Sequence, residues 1–405
     1  MRVSRSFLVT LALLGLLHVY IGVRLLPALP LGMAGRGMGV LLLAVSCVLI
    51  PVGVMARSLR DRSAVAERMV LPALIAMGLF SSLFVFTLLR DFALLVAALF
   101  TPAVATVYVQ RITAWIVIGM AVFATLVGYI NARRVARVVN VDVPIANLPP
   151  ALHGFSIAQI TDIHVGPTIR RNYVERIVAA VNRLEADVIA ITGDLVDGSV
   201  RELAAHVQPL AHLRAKYGAY FVTGNHEYYS GERAWTSELR RLGLRVLMNE
   251  HVVLDHGDAK LVLAGVPDYS AHHFDPETPS DPAAALADAP PDAGAKILLA
   301  HQPRSAPAAA AAGFDLQLSG HTHGGQFWPW NYFVRFQQPF TAGLDRLGSL
   351  WIYTSRGTGY WGPPKRFGAP SEITRIRLVG AAAAESGSRP DDRSTPSGEP
   401  VVTSR

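Results

Sequence analysis

The fold is decided at Ser319-Gly320-His321-Thr322-His323-Gly324-Gly325-Gln326. Two histidines stand two positions apart in this stretch, directly after Phe314–Leu318, whose alternating pattern predicts a short strand. Because positions i and i+2 of a strand face the same side, His321 and His323 would present their imidazoles together. The flanking glycines let other groups approach the backbone closely. The pair is a candidate metal site, with a polar turn carrying two surface histidines as the alternative.

Four other predicted strands end in residues of metal-ligating type. Their ends read Thr161-Asp162-Ile163-His164, Thr192-Gly193-Asp194, Thr223-Gly224-Asn225-His226-Glu227 and Ala300-His301-Gln302. In open α/β sheets, ligands bind beyond the carboxyl ends of the strands. Because chance placement would rarely put such residues at so many strand ends, the sequence predicts a metal site at one sheet edge. The single cysteine, Cys47, lies in an apolar run, so nitrogen and oxygen ligands remain, which suit Mn, Fe or Zn.

The region between residues 155 and 378 alternates strand and helix patterns. The predicted helices are Asn172–Leu184, Arg201–Arg214 and Glu232–Leu242, and the predicted strands are Phe155–Ile160, Asp187–Thr192, Ala219–Thr223, His251–Leu254, Lys260–Ala264, Lys296–Ala300, Phe314–Leu318, Ser349–Thr354 and Glu372–Leu378. Such alternation is typical of βα units and a largely parallel sheet. We therefore expect an α/β domain over residues 153–379, with 268–294 as a surface insertion and 380–405 as a disordered tail.

The motif set Asp-x-His, Gly-Asp, Gly-Asn-His-Glu, His and Gly-His-Thr-His resembles the calcineurin-like metallophosphoesterase superfamily. Within it, TDIHVG, TGDLVDG, GNHEYY and SGHTHGGQ, followed by Ser355–Gly359, are similar to the YkuE/YaeI-type branch, which often has an N-terminal membrane element. The resemblance covers about 155–378. It implies a four-layer α/β/β/α sandwich that binds two divalent metals and acts as a phosphoric ester hydrolase.

The resemblance also implies roles for eight residues. Asp162, His164 and His323 would hold the first metal, Asn225, His301 and His321 the second, and Asp194 would bridge both. His226 would be a histidine near the leaving group that binds no metal, and with Asn225 it forms the expected catalytic pair. Glu227, Asp197 and Tyr228 are interpreted as supporting polar residues.

The chemistry expected of such residues is metal-assisted hydrolysis. Two metals clamp the phosphate oxygens and lower the pKa of a shared water, whose hydroxide attacks phosphorus in line. His226 would stabilise the transition state or protonate the leaving oxygen.

The apolar excess of the chain, with 51% hydrophobic residues, lies almost entirely before residue 132. Four runs, 7–29, 38–56, 69–89 and 113–131, approach the roughly 20 residues that span a bilayer as a helix. Residues 92–110 are apolar but contain Pro102, so they would be a fifth span, a re-entrant piece or an interfacial helix. Residues 1–132 thus form an expected α-helical transmembrane bundle, and 133–152 a connector.

Arginine placement favours four spans. One side would carry nine arginines and the other three, namely Arg2, Arg5, Arg57, Arg60, Arg62, Arg68, Arg133, Arg134 and Arg137 against Arg36, Arg90 and Arg111. By the positive-inside rule, the catalytic domain then lies in the cytoplasm, at a bacterial-type inner (plasma) membrane. Five spans would place it outside, in the periplasm or extracellular space. The net charge of +7 is interpreted as membrane orientation, and nucleic acid is not an expected partner because no nucleic-acid motif occurs.

An aromatic run follows the metal histidines directly. Phe327, Trp328, Trp330 and Tyr332 are candidate substrate contacts in it. The run would line an apolar groove, enter the membrane interface, or pack as a loop over the sheet edge. With the membrane spans it suggests a lipid-linked phosphodiester or pyrophosphate, and some relatives with this motif set cleave UDP-2,3-diacylglucosamine. The alternatives are a phosphomonoesterase, including a phosphoprotein phosphatase, and a non-catalytic scaffold on the same fold.

Overall fold

The computed structural model describes residues 5–58, 64–100 and 106–381. Its first part contains four long helices, α1 (Arg5–Leu25), α2 (Met33–Ser58), α3 (Ala64–Phe100) and α4 (Val107–Arg133). Each is long and apolar enough to cross a membrane, with candidate spans at Phe7–Ala28, Met33–Ala56, Glu67–Phe100 and Val107–Arg133. The predicted spans 38–56, 69–89 and 113–131 fall within α2, α3 and α4, whereas the predicted span 7–29 extends past the end of α1 into a 3-10 turn, Leu26–Ala28.

The apolar segment 92–110 does not form a helix of its own in the described part of the chain. Residues 92–100 continue α3 without a break, and 107–110 begin α4. Residues 101–105, which include Pro102, lie outside the described residues. Thr106 caps α4 by accepting a hydrogen bond from the amide of Val109. In the described residues, α3 therefore ends at Phe100 and α4 begins at Val107.

Polar groups join three of the membrane helices near one end. The Arg24 guanidinium of α1 donates to Asp91 of α3 at 2.7 Å, and the Tyr20 hydroxyl donates to the same carboxylate at 2.7 Å. Arg90 is buried and donates to the Thr113 hydroxyl of α4 at 2.9 Å. Arg24 is thus held in an ion pair with Asp91, and pairing lowers the cost of charge near apolar helices.

The C-terminal part contains two six-stranded sheets. The first has the order β1-β12-β2-β3-β4-β5, and the second β10-β11-β9-β8-β7-β6. The strands are β1 (Arg137–Ile145), β2 (Ser156–Ile160), β3 (Val188–Ile191), β4 (Ala219–Phe221), β5 (Arg245–Val246), β6 (Glu250–His256), β7 (Ala259–Gly265), β8 (Ala295–Leu299), β9 (Leu316–Ser319), β10 (Gly343–Leu347), β11 (Leu350–Thr354) and β12 (Glu372–Gly380). The core strands β2-β3-β4 and β7-β8-β9 pair in parallel.

The segment predicted as a connector contributes a strand. Residues 137–145 form β1, which pairs in parallel with β12 from Arg137 opposite Glu372 to Ile145 opposite Gly380. Most of its side chains are exposed or half-buried, because an edge strand is covered on one face only. The hydrophobic alternation that predicts a strand is therefore weak in this segment. The chain therefore passes from α4 into the first sheet after only three residues. The tail predicted from residue 380 lies outside the described residues from 382 onward, and Gly380 itself ends β12.

Helices cover the outer faces of both sheets and produce the expected four layers. They are α5 (Arg171–Asn182), α6 (Val200–Val207), α8 (Glu232–Arg241), α9 (Pro282–Ala285) and α10 (Ala306–Ala312), whereas the short α7 (Asn225–Ser230) lies beyond the carboxyl end of β4. One apolar cluster lies between α5, α6, α8 and the first sheet, a second between the two sheets, and a third between the second sheet and α9 and α10. The predicted helix Arg201–Arg214 is shorter in the structure, because Pro209 lacks an N–H and a 3-10 turn replaces its second half.

The metallophosphoesterase-like part rests directly on the membrane helices. The Lys365 ammonium is 1% exposed and donates to the Gly78 carbonyl and the Ser82 hydroxyl of α3, and to Thr125 of α4. Burial lowers the pKa of Lys365 to about 8. Trp328 stacks on Phe86 of α3 with ring centroids 5.5 Å apart. The loops that follow β9 and β11 are therefore packed against the membrane region.

Candidate metal centre

The carboxyl ends of five strands meet at one place between the two sheets. Asp162 and His164 follow β2, Asp194 follows β3, and Asn225 and His226 follow β4 in the first sheet. In the second sheet, His301 follows β8 and the two histidines of the opening motif follow β9. Because these strands run in parallel within each sheet, their ends deliver the side chains to a common edge.

The side chains form groups suited to metal ions. One group contains Asp162, His164 and His323, a second contains Asp194, His301 and His321, and a third contains His164, Asp194 and His226. In the first, His164 Nε2 lies 3.0 Å from His323 Nε2, which is 3.4 Å from Asp162 Oδ1.

Asp194 connects the groups. Its Oδ2 lies 3.2 Å from His301 Nε2 in the second group and 3.8 Å from His164 Nε2 in the first. Asn225 joins the second group through Oδ1, which is 3.1 Å from His321 Nδ1. The structure thus brings together all seven residues predicted as ligands, with Asp194 in the middle.

His301 provides a test of whether a cation fits. Its Nδ1 lies 2.7 Å from the Thr192 carbonyl, which only accepts, so Nδ1 carries the hydrogen. In the neutral ring, the buried Nε2 is then a lone pair that faces Asp194 Oδ2 at 3.2 Å. Two acceptors at this distance repel one another unless a positive charge sits between them. Burial alone would lower the pKa of His301, but the negative charge of Asp194 outweighs this effect and raises the pKa above its usual value. The site therefore attracts a proton or a metal ion.

The backbone at the ligands is strained. Asp162, His164, Asp194, His321 and His323 all have positive φ, between 50° and 69°. Residues other than glycine seldom adopt this left-handed region, and such residues cluster at functional sites. The surrounding fold therefore holds these side chains in place at a conformational cost.

Glycines leave room for the carboxylates. A Cβ at Gly320 would lie 2.2 Å from Asp162 Oδ2, and a Cβ at Gly224 would lie 2.2 Å from Asp194 Oδ1. The His321 amide, next to Gly320, donates to both Asp162 oxygens at 3.0 Å. Glycine is required at both positions because the carboxylate of a proposed metal-binding aspartate lies where a Cβ would be.

Replacing Gly320 with alanine is expected to displace the Asp162 carboxylate. Overpacking of this kind costs about 1–3 kcal/mol of stability. We expect a lower thermal unfolding midpoint and less bound metal, measured by differential scanning fluorimetry and elemental analysis of the purified protein. Gly380→Ala is the control, because no atom of the described residues lies within 4 Å of its added Cβ. Equal metal content in the two variants would contradict the proposed position of Asp162.

Two of the three residues expected to support the site contact its ligand residues directly. Asp197 Oδ1 lies 2.6 Å from His226 Nδ1 and 3.2 Å from His164 Nδ1, so one carboxylate orients two histidines. Glu227 accepts backbone hydrogen bonds from Asp194, Leu195, Val196 and Gly224. Tyr228 instead stacks on Phe274.

Arg366 is a supporting residue of the site that the sequence motifs do not predict. It is fully buried, and its Nη1 donates to the His323 carbonyl at 2.9 Å. Its only sequence signal was a basic residue shortly after the Ser355–Gly359 motif.

His226 stands at the exposed side of the centre. Its side chain is 16% exposed, and its Nε2 lies 3.9 Å from Asp194 Oδ2. Because Nδ1 donates to the Asp197 carboxylate, Nε2 is oriented toward the cavity that His226 lines. His226 also falls in the third group with His164 and Asp194.

A cavity of about 440 Å³ lies between the candidate metal centre and α3. Its floor contains ligand residues from both groups. Its walls contain Phe327, Trp330, Phe333 and Trp361, together with Met77 of α3. Of the predicted substrate contacts, Phe327 and Trp330 line this cavity. Trp328 packs on α3 instead, and Tyr332 points outward with 58% of its surface exposed.

Comparisons with known proteins agree with this architecture. Residues 155–325 match the family model described as calcineurin-like phosphoesterase. A bovine (Bos taurus) transmembrane protein with metallophosphoesterase domain is 40% identical over 274 residues, covering 64% of this chain and 60% of its own length. An uncharacterized metallophosphoesterase from Campylobacter jejuni is 34% identical over 310 residues, covering 74% of this chain and 78% of its own length.

A third relative is the uncharacterized metallophosphoesterase YkuE of Bacillus subtilis, which is 30% identical and covers 57% of this chain and 81% of its own length. The chain spans about 60% of the length of the two vertebrate relatives it matches. The region 155–325 that matches the family model contains the strand-end motifs and the residues that meet between the two sheets. The chain belongs to the calcineurin-like phosphoesterase family.

Proposed function

We propose that the chain is a membrane-anchored, metal-dependent phosphoester hydrolase with two divalent metal ions. One observation supports the proposal most strongly. Asp194 Oδ2 lies between the two proposed ligand sets, 3.8 Å from His164 Nε2 of one and 3.2 Å from His301 Nε2 of the other. A shared carboxylate between two ligand sets is the arrangement that a two-metal phosphoesterase requires.

The proposed roles of the residues follow from their positions. Asp162, His164 and His323 would hold one ion, Asn225, His301 and His321 the other, and Asp194 both. When bound, the ions supply positive charge for the phosphate oxygens and activate water as the nucleophile. Asp197 holds His226 so that Nε2 faces the cavity, from which it would stabilise or protonate the leaving oxygen. The buried Arg366 fixes the backbone of His323.

Removing metal is expected to abolish activity. The purified, detergent-solubilised protein should hydrolyse bis-p-nitrophenyl phosphate, lose this activity after EDTA treatment and regain it with Mn²⁺. The physical reason is that the seven ligands alone provide no cation to stabilise charge on the transferred phosphoryl group. Zn²⁺, Fe²⁺ and Mg²⁺ are tested in parallel to identify the preferred ion. Activity that is indifferent to chelation would refute the metal mechanism.

The proposed substrate is a phosphodiester or pyrophosphate with an apolar, lipid-linked part. The cavity that begins at the ligands has aromatic walls and includes Met77 from a candidate membrane span, and these features favour an amphipathic substrate. A hydrolysis screen should compare lipid-linked nucleotides such as UDP-2,3-diacylglucosamine, phospholipids, simple diesters and monoesters. Preference for p-nitrophenyl phosphate or a phosphopeptide would favour the phosphomonoesterase alternative.

The proposed location of the phosphoesterase part is the cytoplasmic side of the membrane. Four spans put both ends of the helical region on one side, and the arginine excess falls on that side. A reporter protein fused after Arg405 is expected to be active in the cytoplasm. A reporter that is active only in the periplasm would overturn the four-span topology.

A further inference from the structure

The surface formed by Trp330–Phe336 is unusually apolar for an exposed loop. It consists of two 3-10 turns, Trp330–Tyr332 and Val334–Phe336. Tyr332, Phe333 and Phe336 are 58%, 53% and 76% exposed, although they are large aromatic side chains. Contiguous exposed apolar surface on a protein marks an interaction site.

The position of this loop identifies what covers it. Trp330 Nε1 donates to the Ser81 hydroxyl of α3 at 3.0 Å. The candidate span Glu67–Phe100 has 34 residues, about 51 Å at 1.5 Å per residue, which is longer than the roughly 30 Å hydrocarbon core of a bilayer. Ser81 lies 19 positions before Phe100, or about 29 Å along the helix. A hydrocarbon core that ends near Phe100 therefore has its other boundary near Ser81. Just before the loop, Trp328 stacks on Phe86 of the same helix.

The loop thus lies beside α3 at the level where this helix leaves the hydrocarbon core. A protein surface at this level contacts lipid headgroups and the outermost part of the acyl chains. Tryptophan and tyrosine are the residues that favour the boundary between headgroups and acyl chains. Arg335 fits the same boundary, because its guanidinium lies over the Phe336 ring at 5.4 Å and is free to extend toward lipid phosphates.

We infer that Trp330–Phe336 inserts into the lipid bilayer at the headgroup boundary, as a membrane contact additional to α1–α4. The occupant of this surface is the bilayer itself. The interaction is of the interfacial kind, in which aromatic side chains enter a few ångströms below the headgroups without spanning the membrane.

This insertion has a consequence for the substrate that rests on the proposed function. Trp330 and Phe333 belong both to the loop and to the cavity wall. The cavity mouth then opens at the level of the lipid phosphates. A phospholipid-like ester reaches Asp194 and its neighbours by moving sideways in the membrane, with its acyl part still in lipid.

Depth-dependent fluorescence quenching tests the insertion. Cys47 is the only cysteine, so Cys47→Ser gives a background without thiols. In this background, Phe336→Cys carries a bimane label, and the protein is reconstituted in phosphatidylcholine–phosphatidylglycerol vesicles. Val253→Cys is the matched control, an exposed apolar position on the edge strand β6. Doxyl lipids report contact with lipid, and aqueous iodide reports contact with water.

We expect doxyl lipids to quench the label at 336 several-fold more than the label at 253, and iodide to show the reverse order. Quenching at 336 by iodide alone would show a loop in water and overturn the inference. Protection from both quenchers would show a protein partner and overturn it as well. Tyr332→Cys provides a second position should the label at 336 disturb folding. Because the measurement needs no turnover, its failure is distinct from failure of the proposed hydrolase activity.

Discussion

Replacing Asp194 with asparagine is expected to reduce the turnover of bis-p-nitrophenyl phosphate by about 1,000-fold or more. Loss of a single preorganised charge-stabilising group at an active site already costs roughly 100- to 1,000-fold. Asp194 is proposed to serve both metals, so its substitution weakens two ligand sets at once. Asparagine keeps the size of the side chain but removes the negative charge opposite His301 Nε2.

The fold should survive this substitution. Asp194 Oδ1 accepts a hydrogen bond from the His226 amide at 2.9 Å, and the asparagine carbonyl oxygen can accept the same bond. The Asp194 amide donates to Glu227, which the substitution does not touch. Steady-state kinetics and elemental analysis measure the effect. Asp258→Asn, in the exposed turn between β6 and β7, is the matched control. Activity close to that of the control would refute a bridging role for Asp194.

Replacing Glu227 with alanine is expected to produce the largest loss of stability. The carboxylate is fully buried and accepts from four backbone amides, those of Asp194, Leu195, Val196 and Gly224. Backbone donors cannot be removed by the substitution, so they would remain buried without partners. Each such group costs about 1–3 kcal/mol. The sum is at least roughly 4 kcal/mol, a large share of the about 5–15 kcal/mol that stabilises a typical domain.

Thermal and denaturant unfolding of the purified variants measures this loss. Glu227→Gln should be intermediate, because it keeps one accepting oxygen but places an NH₂ group against the same donors. Glu175→Ala is the control. Glu175 forms an exposed pair with Arg171 on α5, and such pairs contribute about 0–1 kcal/mol. An unfolding midpoint for Glu227→Ala equal to that of Glu175→Ala would contradict a role for Glu227 in holding the ligand loops.

The helical and sheet elements followed largely from local patterns. The apolar runs correspond to the four helices α1–α4, and the strands expected before each motif are present within a few residues. These predictions succeed because hydrophobic periodicity is a property of short segments. The exceptions have physical causes. β1 is an edge strand with half-exposed side chains, and Pro209 converts the end of the predicted helix after α6 into a 3-10 turn.

Local sequence patterns do not identify the residues that support the metal centre. Glu227 and Asp197 carry ordinary acidic side chains whose partners lie about 30 positions away in the sequence. Arg366 contacts His323 across 43 positions. Nothing local distinguishes these residues from surface charges, because their importance comes from burial and from partners that only the folded chain supplies.

The opening motif shows the same division. The sequence alone determined that His321 and His323 follow a strand, that glycines surround them, and that four other strand ends carry ligand-type residues. Tertiary structure decided that His323 joins Asp162 and His164, that His321 joins Asp194 and His301, and that the aromatic loop after them rests on α3. The reason is physical. Strand periodicity and glycine chemistry act between near neighbours, whereas ligand grouping and membrane contact depend on how two sheets and a helix bundle pack together.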